Sequence, residues 1–409
     1  MIYHLCVRVN SVNRASSGGL DLRRMMELDM DYRRRLTGLQ EKMAELETDL
    51  VVYGSCQNFQ YLTGLPVEWR RGVDLQYAQD NVFVPREGEP ILTLGPASAG
   101  HAEECWIGDV RTLERGDPYK DVAERVASDL DWDGGRVGVG DHVWGSTWIE
   151  VARAFKGARF RSAEALMDSL RMIKEPAEIE AMRKVARLTD DVMEKVISGI
   201  QDGVTQSDLR LEIEMTGRRM GAQDISFPPT GGFVKSGSEV SENPFTYPRD
   251  EGLVPGCSIA FDVGFVLDGY CSDWGRSMYW GPAGDEVKKG YEALQQAVVA
   301  TVDKMHDGSM KVCDVFPSIE ASLDGEGYGD YLRARLKTGS VGHQIGVEVH
   351  EPPWLDPENK DLLQTGMIMC LEPKLWHAGE YYLRVEDMVL IHPDRAEFLT
   401  NYDREQFQL

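Results

Sequence analysis

The sequence predicts two domains, an α/β unit ending near residue 165 and a larger second unit in which helices surround a strand-rich stretch. Two patterns carry that expectation. Strand-like runs alternate with helical ones in the first part, and in the second an Asp-Gly pair at 268–269 joins two strand-like runs as a hairpin turn. Length agrees, since 409 residues with 42% hydrophobic content supply cores for two or three domains.

Residues 1–24 show no clear periodicity and include Ser-Ser-Gly-Gly, so a leader or an over-long start is expected there, with the first domain running over 25–165. Residues 28–46 set Met, Leu and Ala among charges at helical spacing. A buried strand is expected at 49–54, further strands at 81–84, 90–94 and 136–139, and helices at 119–130 and 147–155. The stretch 163–199 is helix-rich and broken at Pro176, with Glu178 and Glu180 in the following first turn, as a helix start favours. The domain junction is placed here, and the second domain spans 166–409. A helix over 205–220 opens on a Thr-Gln-Ser-Asp cap region, a strand follows at 232–237, and after the hairpin come helices at 285–305 and 312–324.

Composition excludes several classes. A net charge of −24 argues against sequence-independent binding of nucleic acid or of an anionic membrane, both of which need a basic surface. Seven scattered cysteines without CxxC spacing indicate neither a disulfide framework nor a thiolate zinc site. No run of about 18 apolar residues occurs, so a cytoplasmic protein without membrane attachment is expected.

The hairpin is where chemistry concentrates. With Asp268 and Gly269 as a two-residue turn, position 262 lies opposite 275, and Asp273 falls on the same face as Asp262. Carboxylates so placed can share a cation; two exposed acids on a hairpin are the plainer alternative. Downstream, GHQIGVEVHEPP at 342–353 holds His343 and His350, with glycine beside the first, and neutral imidazole is a common ligand of divalent metals. Glu372 in MIMCLEP and Glu386 in YYLRVEDMVLI sit where strands want apolar residues, a local conflict typical of functional sites. One imidazole and four carboxylates form a hard, oxygen-rich set suited to manganese, iron, cobalt or zinc. Four converging acids would repel one another, so two divalent ions are expected.

The order Asp262, Asp273, His343, Glu372, Glu386, within DxGxxxDGYCSD, GHxxGxxxHExP, LEP and RxED, resembles the metallopeptidase family of aminopeptidase P, prolidase and methionine aminopeptidase. LRMIKEPAEIEAMRK resembles the linker helix of its creatinase and prolidase branch, and NFQYLTG a segment of that branch's N-terminal domain. The resemblance implies an α/β creatinase-like N-terminal domain followed by an α+β pita-bread catalytic domain. It also implies that Asp262 chelates one ion, that Asp273 and Glu386 bridge two, and that His343 and Glu372 complete the second. Water between such ions becomes a hydroxide nucleophile. Glu372 would take and return the proton, and His350 and Arg384 match positions that steady the intermediate or guide the leaving group. An Xaa-Pro dipeptidase or aminopeptidase acting on small peptides, loaded with manganese and assembled as a homodimer, is the implied protein.

One departure stands against that reading. The peptidases carry a further histidine in the pocket wall ahead of the first metal-binding aspartate, and here the position falls on Pro244 or Phe245. No histidine occurs from 143 to 305, so an alignment shift cannot restore it. A hydrolase or lyase of a small non-peptide compound, of the ectoine or dimethylsulfoniopropionate type, is therefore the alternative. Phe245, His377 and Arg70 are candidate substrate contacts; for His377 and Arg70 the plainer reading is solvated surface.

Overall fold

A computed structural model of the chain describes residues 30–65 and 79–409. The expected leader, Arg70 and the segment around it lie outside the described residues. The first domain opens with α1 (Tyr32–Glu45), then β1 (Leu50–Gly54), α2 (Gln57–Thr63), β2 (Asn81–Pro85), β3 (Ile91–Leu94) and β4 (Asp109–Thr112). It continues with α3 (Tyr119–Asp129), β5 (Gly135–Val139), α4 (Gly145–Ala154) and β6 (Ala158–Ser162). Its six strands form one mixed sheet in the order β4-β3-β2-β1-β5-β6. All five residues of β1 are buried, as a central strand covered on both faces requires.

Two helices make the connection, α5 (Glu164–Met172) and α6 (Pro176–Ser198). Proline at the first position of α6 costs no hydrogen bond, because the first N–H groups of a helix have no partner inside it. Glu178 closes a capping box by accepting from the Glu175 N–H at 3.0 Å. The same carboxylates reach the first domain: Arg35 on α1 donates its Nε to Glu175 at 2.9 Å and an Nη to the Tyr61 carbonyl at 2.8 Å.

The second domain contains α7 (Gln206–Arg219), β7 (Asp224–Ile225), β8 (Thr230–Lys235), β9 (Cys257–Val263), β10 (Phe265–Leu267), β11 (Tyr270–Cys271) and β12 (Trp274–Trp280). Then follow α8 (Asp285–Val302), α9 (Val315–Gly325), α10 (Gly329–Arg335), β13 (Gly342–Gln344), β14 (Ile368–Leu371), β15 (Lys374–His377), β16 (Tyr381–Ile391) and β17 (Ala396–Phe398). Its main sheet is antiparallel, ordered β13-β14-β16-β12-β9-β8, with β15 and β17 also paired to β16. Alternation sorts the two faces. Cys257, Ile259, Phe261 and Val263 of β9 pack into one core with Val185, Val192 and Ile213 of α6 and α7. Leu383, Val385 and Val389 of β16 pack into another with Leu294, Val298 and Ile319 of α8 and α9. Ser258, Ala260, Asp262, Tyr382, Arg384 and Glu386 therefore point to the opposite face.

An ion pair ties the last strand to α6. Arg183 donates to Glu397 at 2.7 Å, and His392 Nε2 lies 2.8 Å from the same carboxylate. The Arg183 hydrogen bond, against a smaller cost of burial, holds Glu397 down to about 2 from its ordinary 4.5. A depressed carboxylate pKa stabilises the fold above the unfolded value and ceases to do so as pH falls through the folded one. Glu397→Gln should therefore cost about 0.5–1 kcal/mol near neutral pH, the range for a partly exposed pair. The deficit should shrink as pH drops below 4.5. Urea unfolding at several pH values tests this, and a deficit that stays constant with pH would count against it.

Candidate metal centre

The hairpin forms in the expected register. Asp268 and Gly269 both take positive φ, 52° and 79°, as a type I′ turn demands. Gly275 lies opposite Asp262 on β9 and opposite Glu386 on β16. The absence of a side chain there is a steric necessity: a Cβ would stand 2.8 Å from Glu386 Cβ and 2.5 Å from Arg384 Cδ. Asp262, Asp273 and Glu386 thereby bring carboxylate oxygens within 4.8 Å of one another.

His343 enters from β13, paired with Cys370 of β14. Gly342 before it has φ 149°, and a Cβ would lie 1.9 Å from the Cys370 carbonyl oxygen, so only glycine lets the two strands close. His343 Nδ1 lies 2.8 Å from the Gln344 carbonyl. The proton is thus assigned to Nδ1, leaving the Nε2 lone pair facing Asp273 Oδ2 at 3.5 Å. His343, Glu372 and Glu386 form a second group with ligand atoms within 4.8 Å.

The donors fit a divalent cation. Asp273 Oδ1 is buried without a hydrogen-bond partner among the described residues, an exception that calls for an ion or a water. Burial, with repulsion from Asp262 and Glu372, pushes Asp273 well above the usual carboxylate range, and burial with Asp273 and Glu372 does the same to Glu386. Glu372 goes the other way: burial raises it, but Lys374 and Arg384 outweigh that and hold it at about 2.

The family comparisons agree with this geometry. Residues 180–393 match the model for metallopeptidase family M24, and residues 35–173 match the creatinase/prolidase N-terminal domain. The chain belongs to metallopeptidase family M24. A Bacillus subtilis (strain 168) relative named "Putative dipeptidase YkvY" is 31% identical over 85% of this chain and 92% of its own length. Among solved structures, a recombinant prolidase from Thermococcus sibiricus superposes with a TM-score of 0.80 at 28% identity, over 93% of this chain and all of that one. A dipeptidase from Pyrococcus horikoshii OT3 shares the fold, with a TM-score of 0.81 at 24% identity over 92% of this chain and all of that one. The M24 chain thus has the two-domain creatinase-like and pita-bread architecture, and it is a metal-dependent peptidase.

Around the M24 carboxylates stand the remaining candidates. Arg384 contacts Asp262 closely and lies 3.3 Å from Glu386. The His350 ring is 4.4 Å from that of His343 and stacks on Trp354 at 5.5 Å. Partial burial, then the neighbouring His343, lowers its pKa and favours the neutral ring. Phe245 is 39% exposed and rests on Tyr382 at 4.8 Å, beside the small apolar group of Val234, Ala260 and Trp376. His377 is not brought to the carboxylates. It ends β15, three positions past Lys374, with Nδ1 3.0 Å from Glu286 and its ring stacked on Tyr331.

Three features escaped the sequence reading. Lys374, buried on β15 opposite Arg384, places its ammonium on Glu372. Glu351, next to His350, accepts from Arg171 at 2.9 Å and Lys174 at 3.2 Å, and Lys174 also donates to Gln344 at 2.9 Å. Arg171 in turn donates to Asn58 of α2 at 2.8 Å, so LRMIK and NFQYLTG meet behind the two histidines. On the helix side of the sheet, Arg276 and Asp387 pair at 2.5 Å with both side chains fully buried, and Arg404 adds 2.8 Å to the same carboxylate. The signal for Lys374 was a lysine inside an apolar strand directly after LEP. The other two join positions 111 or more residues apart, except for Arg404, and have no local pattern.

Proposed function

We propose that this M24 protein is an Xaa-Pro peptidase of dipeptidase or aminopeptidase type, with two divalent-ion positions, manganese as the working ion, short peptides as substrates, a cytoplasmic location and a homodimeric state. The convergence of Asp262, Asp273, His343, Glu372 and Glu386 carries this reading. The names of the Bacillus and Thermococcus relatives support a short peptide as substrate. In favour of a soluble location, no helix among the described residues is long and apolar enough to cross a membrane.

A divalent ion bound here supplies a Lewis acid for a carbonyl oxygen and lowers the pKa of a coordinated water towards neutrality. The chain supplies the rest. Asp262, Asp273 and Glu386 would hold one ion, and Asp273, His343, Glu372 and Glu386 the other, with the His343 ring fixed by Gln344. Glu372 keeps a partly exposed edge from which it takes a proton and returns it to the leaving amine. Arg384, on the same face as Glu386, meets negative charge developing on the reacting carbonyl, and neutral His350 donates from the rim. Beyond Tyr382 stands an exposed arginine, Arg335, whose Nε donates to the Tyr382 hydroxyl at 3.2 Å, and a guanidinium there suits a substrate carboxylate.

A second reading, cleavage of a small non-peptide compound, is supported by the sequence, which has Pro244 or Phe245 where the peptidases carry the pocket imidazole. The manganese-loaded protein should release amino acid from Xaa-Pro dipeptides or Xaa-Pro tripeptides, and a chelator should stop it. Ectoine and dimethylsulfoniopropionate belong in the same panel. Turnover of either compound, with silence on every peptide, would replace the Xaa-Pro reading.

A further inference from the structure

Asp262 and Asp273 belong to one hairpin but not to one ladder. Strands β9 and β12 pair in the main sheet, starting from Trp274 opposite Val263. Beyond that point β10 pairs with β11 on one side and β7 on the other, in a separate three-stranded sheet that carries the Asp268-Gly269 tip. Asp273 falls in the break between β11 and β12, with Ser272. Its place relative to Asp262 therefore depends on how the tip is held, and not only on the pairing of β9 with β12.

A hairpin tip ordinarily faces water, which takes the outward N–H and C=O groups of the turn. This one is buried. Asp268 and Tyr270 are 4% and 3% exposed, and Val266, Tyr270 and Cys271 share a core with Phe59 and Leu62 of α2. Side chains replace the water. The Gly269 carbonyl accepts from Gln60 Nε2 at 2.8 Å, across 209 residues of sequence, and the Gly269 N–H donates to Gln223 Oε1 at 3.0 Å. The Tyr270 hydroxyl donates to Glu178 at 3.1 Å and accepts from Arg35 at 3.3 Å. Gln60 and Arg35 belong to the first domain, on α2 and α1. The tip is also tied to the segment after His343, where the Cys271 N–H donates to the Gly346 carbonyl at 2.8 Å.

We propose that the first domain is a working part of the metal centre: Gln60 and Tyr270 pin the hairpin tip, which sets Asp273 and so couples docking of the first domain to ion binding. Both are positioning residues that act through the hairpin backbone. The inference rests on the metal-dependent peptidase reading of the same centre. Coupling of this kind is reciprocal, so the ion strengthens docking by the factor that docking strengthens ion binding.

Manganese binding and hydrogen exchange test it without reference to turnover. Chelator-treated full-length Gln60→Leu and Tyr270→Phe, titrated with manganese by calorimetry, should each bind the ion roughly fivefold or more weakly than the wild type. Without metal, amides of 265–273 should exchange faster in Gln60→Leu, while those of β9 keep their wild-type protection. Manganese added to the wild type should slow exchange in α2. Val52→Ala is the control for a merely structural effect, because Val52 packs with Phe83 and Val126 in a core separate from the one that holds the tip. Its manganese affinity should match the wild type. Circular dichroism identifies any variant that fails to fold, and the wild-type exchange measurement needs no variant. Unchanged affinity in folded Gln60→Leu and Tyr270→Phe would overturn the inference, as would equal weakening in Val52→Ala or an α2 exchange rate indifferent to manganese. Each of these results leaves manganese on the wild type and with it the metal-dependent peptidase reading. A wild-type protein that binds no manganese overturns both.

Discussion

Asp273→Ala and Glu386→Ala are each expected to lose bound metal and to lower kcat/KM by roughly 10³-fold or more, because several kcal/mol of charge stabilisation depend on the ion. Loss of turnover alone would be weak evidence, since many buried substitutions unfold a protein. The structure supplies a sharper criterion. Asp273 and Glu386 are 3% and 1% exposed, and each is pushed up first by burial and then by its carboxylate neighbours. Without metal these groups oppose folding. Asp273→Ala should therefore leave the metal-free melting temperature unchanged or raise it, while only the wild type gains stability as manganese is added. A variant that melts well below the metal-free wild type, or that still gains stability with manganese, would contradict this assignment.

Glu351→Ala should destabilise the protein by about 3–5 kcal/mol, the usual cost of removing one partner from a buried ionic group. Glu351 is 1% exposed, and the substitution strands Arg171 and Lys174, which are 5% and 4% exposed. It also removes the acceptor for the Glu348 N–H, at 3.1 Å, in the loop that leads to His350. Urea unfolding at constant pH measures the loss. A change under about 1 kcal/mol would place the network in the weak class of surface pairs. Because Arg171 and Lys174 belong to the connection between domains, activity should fall in Glu351→Ala even under conditions where the protein remains folded.

The centre was legible in sequence to the extent that it depends on local register. The Asp-Gly turn fixes which residues of β9 and β12 face each other, and period-two alternation then puts Asp262 and Asp273 on one side. Glu372 and Glu386 declared themselves as charges within apolar runs. The first domain was readable for the same reason: α1, α3, β1 and β2 carry strong periodic or buried patterns. Strands β4 and β6 were not read, since DVRT and ARFRS are polar edge sequences with no buried residue in either. Residues 374–377 form β15 directly after LEP, a strand of four residues too short to carry a periodic pattern, and so the ammonium on Glu372 stayed hidden. His377, a candidate substrate contact in the sequence, ends that strand and meets Glu286 instead. Glu351 looked like part of a motif whose work was done by His350. Its partners Arg171 and Lys174 are about 180 residues earlier in the chain, a distance that no local spacing rule can bridge.

The buried pair behind the sheet has a consequence for how β16 finds its place. Adjacent acids, Glu386 and Asp387, point to opposite faces of that strand. A strand displaced by one residue would still offer a carboxylate to an ion, because Asp387 would replace Glu386 beneath it. The same displacement would set Met388 where Asp387 now stands and so deprive Arg276 of the carboxylate it pairs with. The guanidinium thus rejects a frame that metal alone would accept, and acts as a proofreading element for the folding chain before any ion has bound.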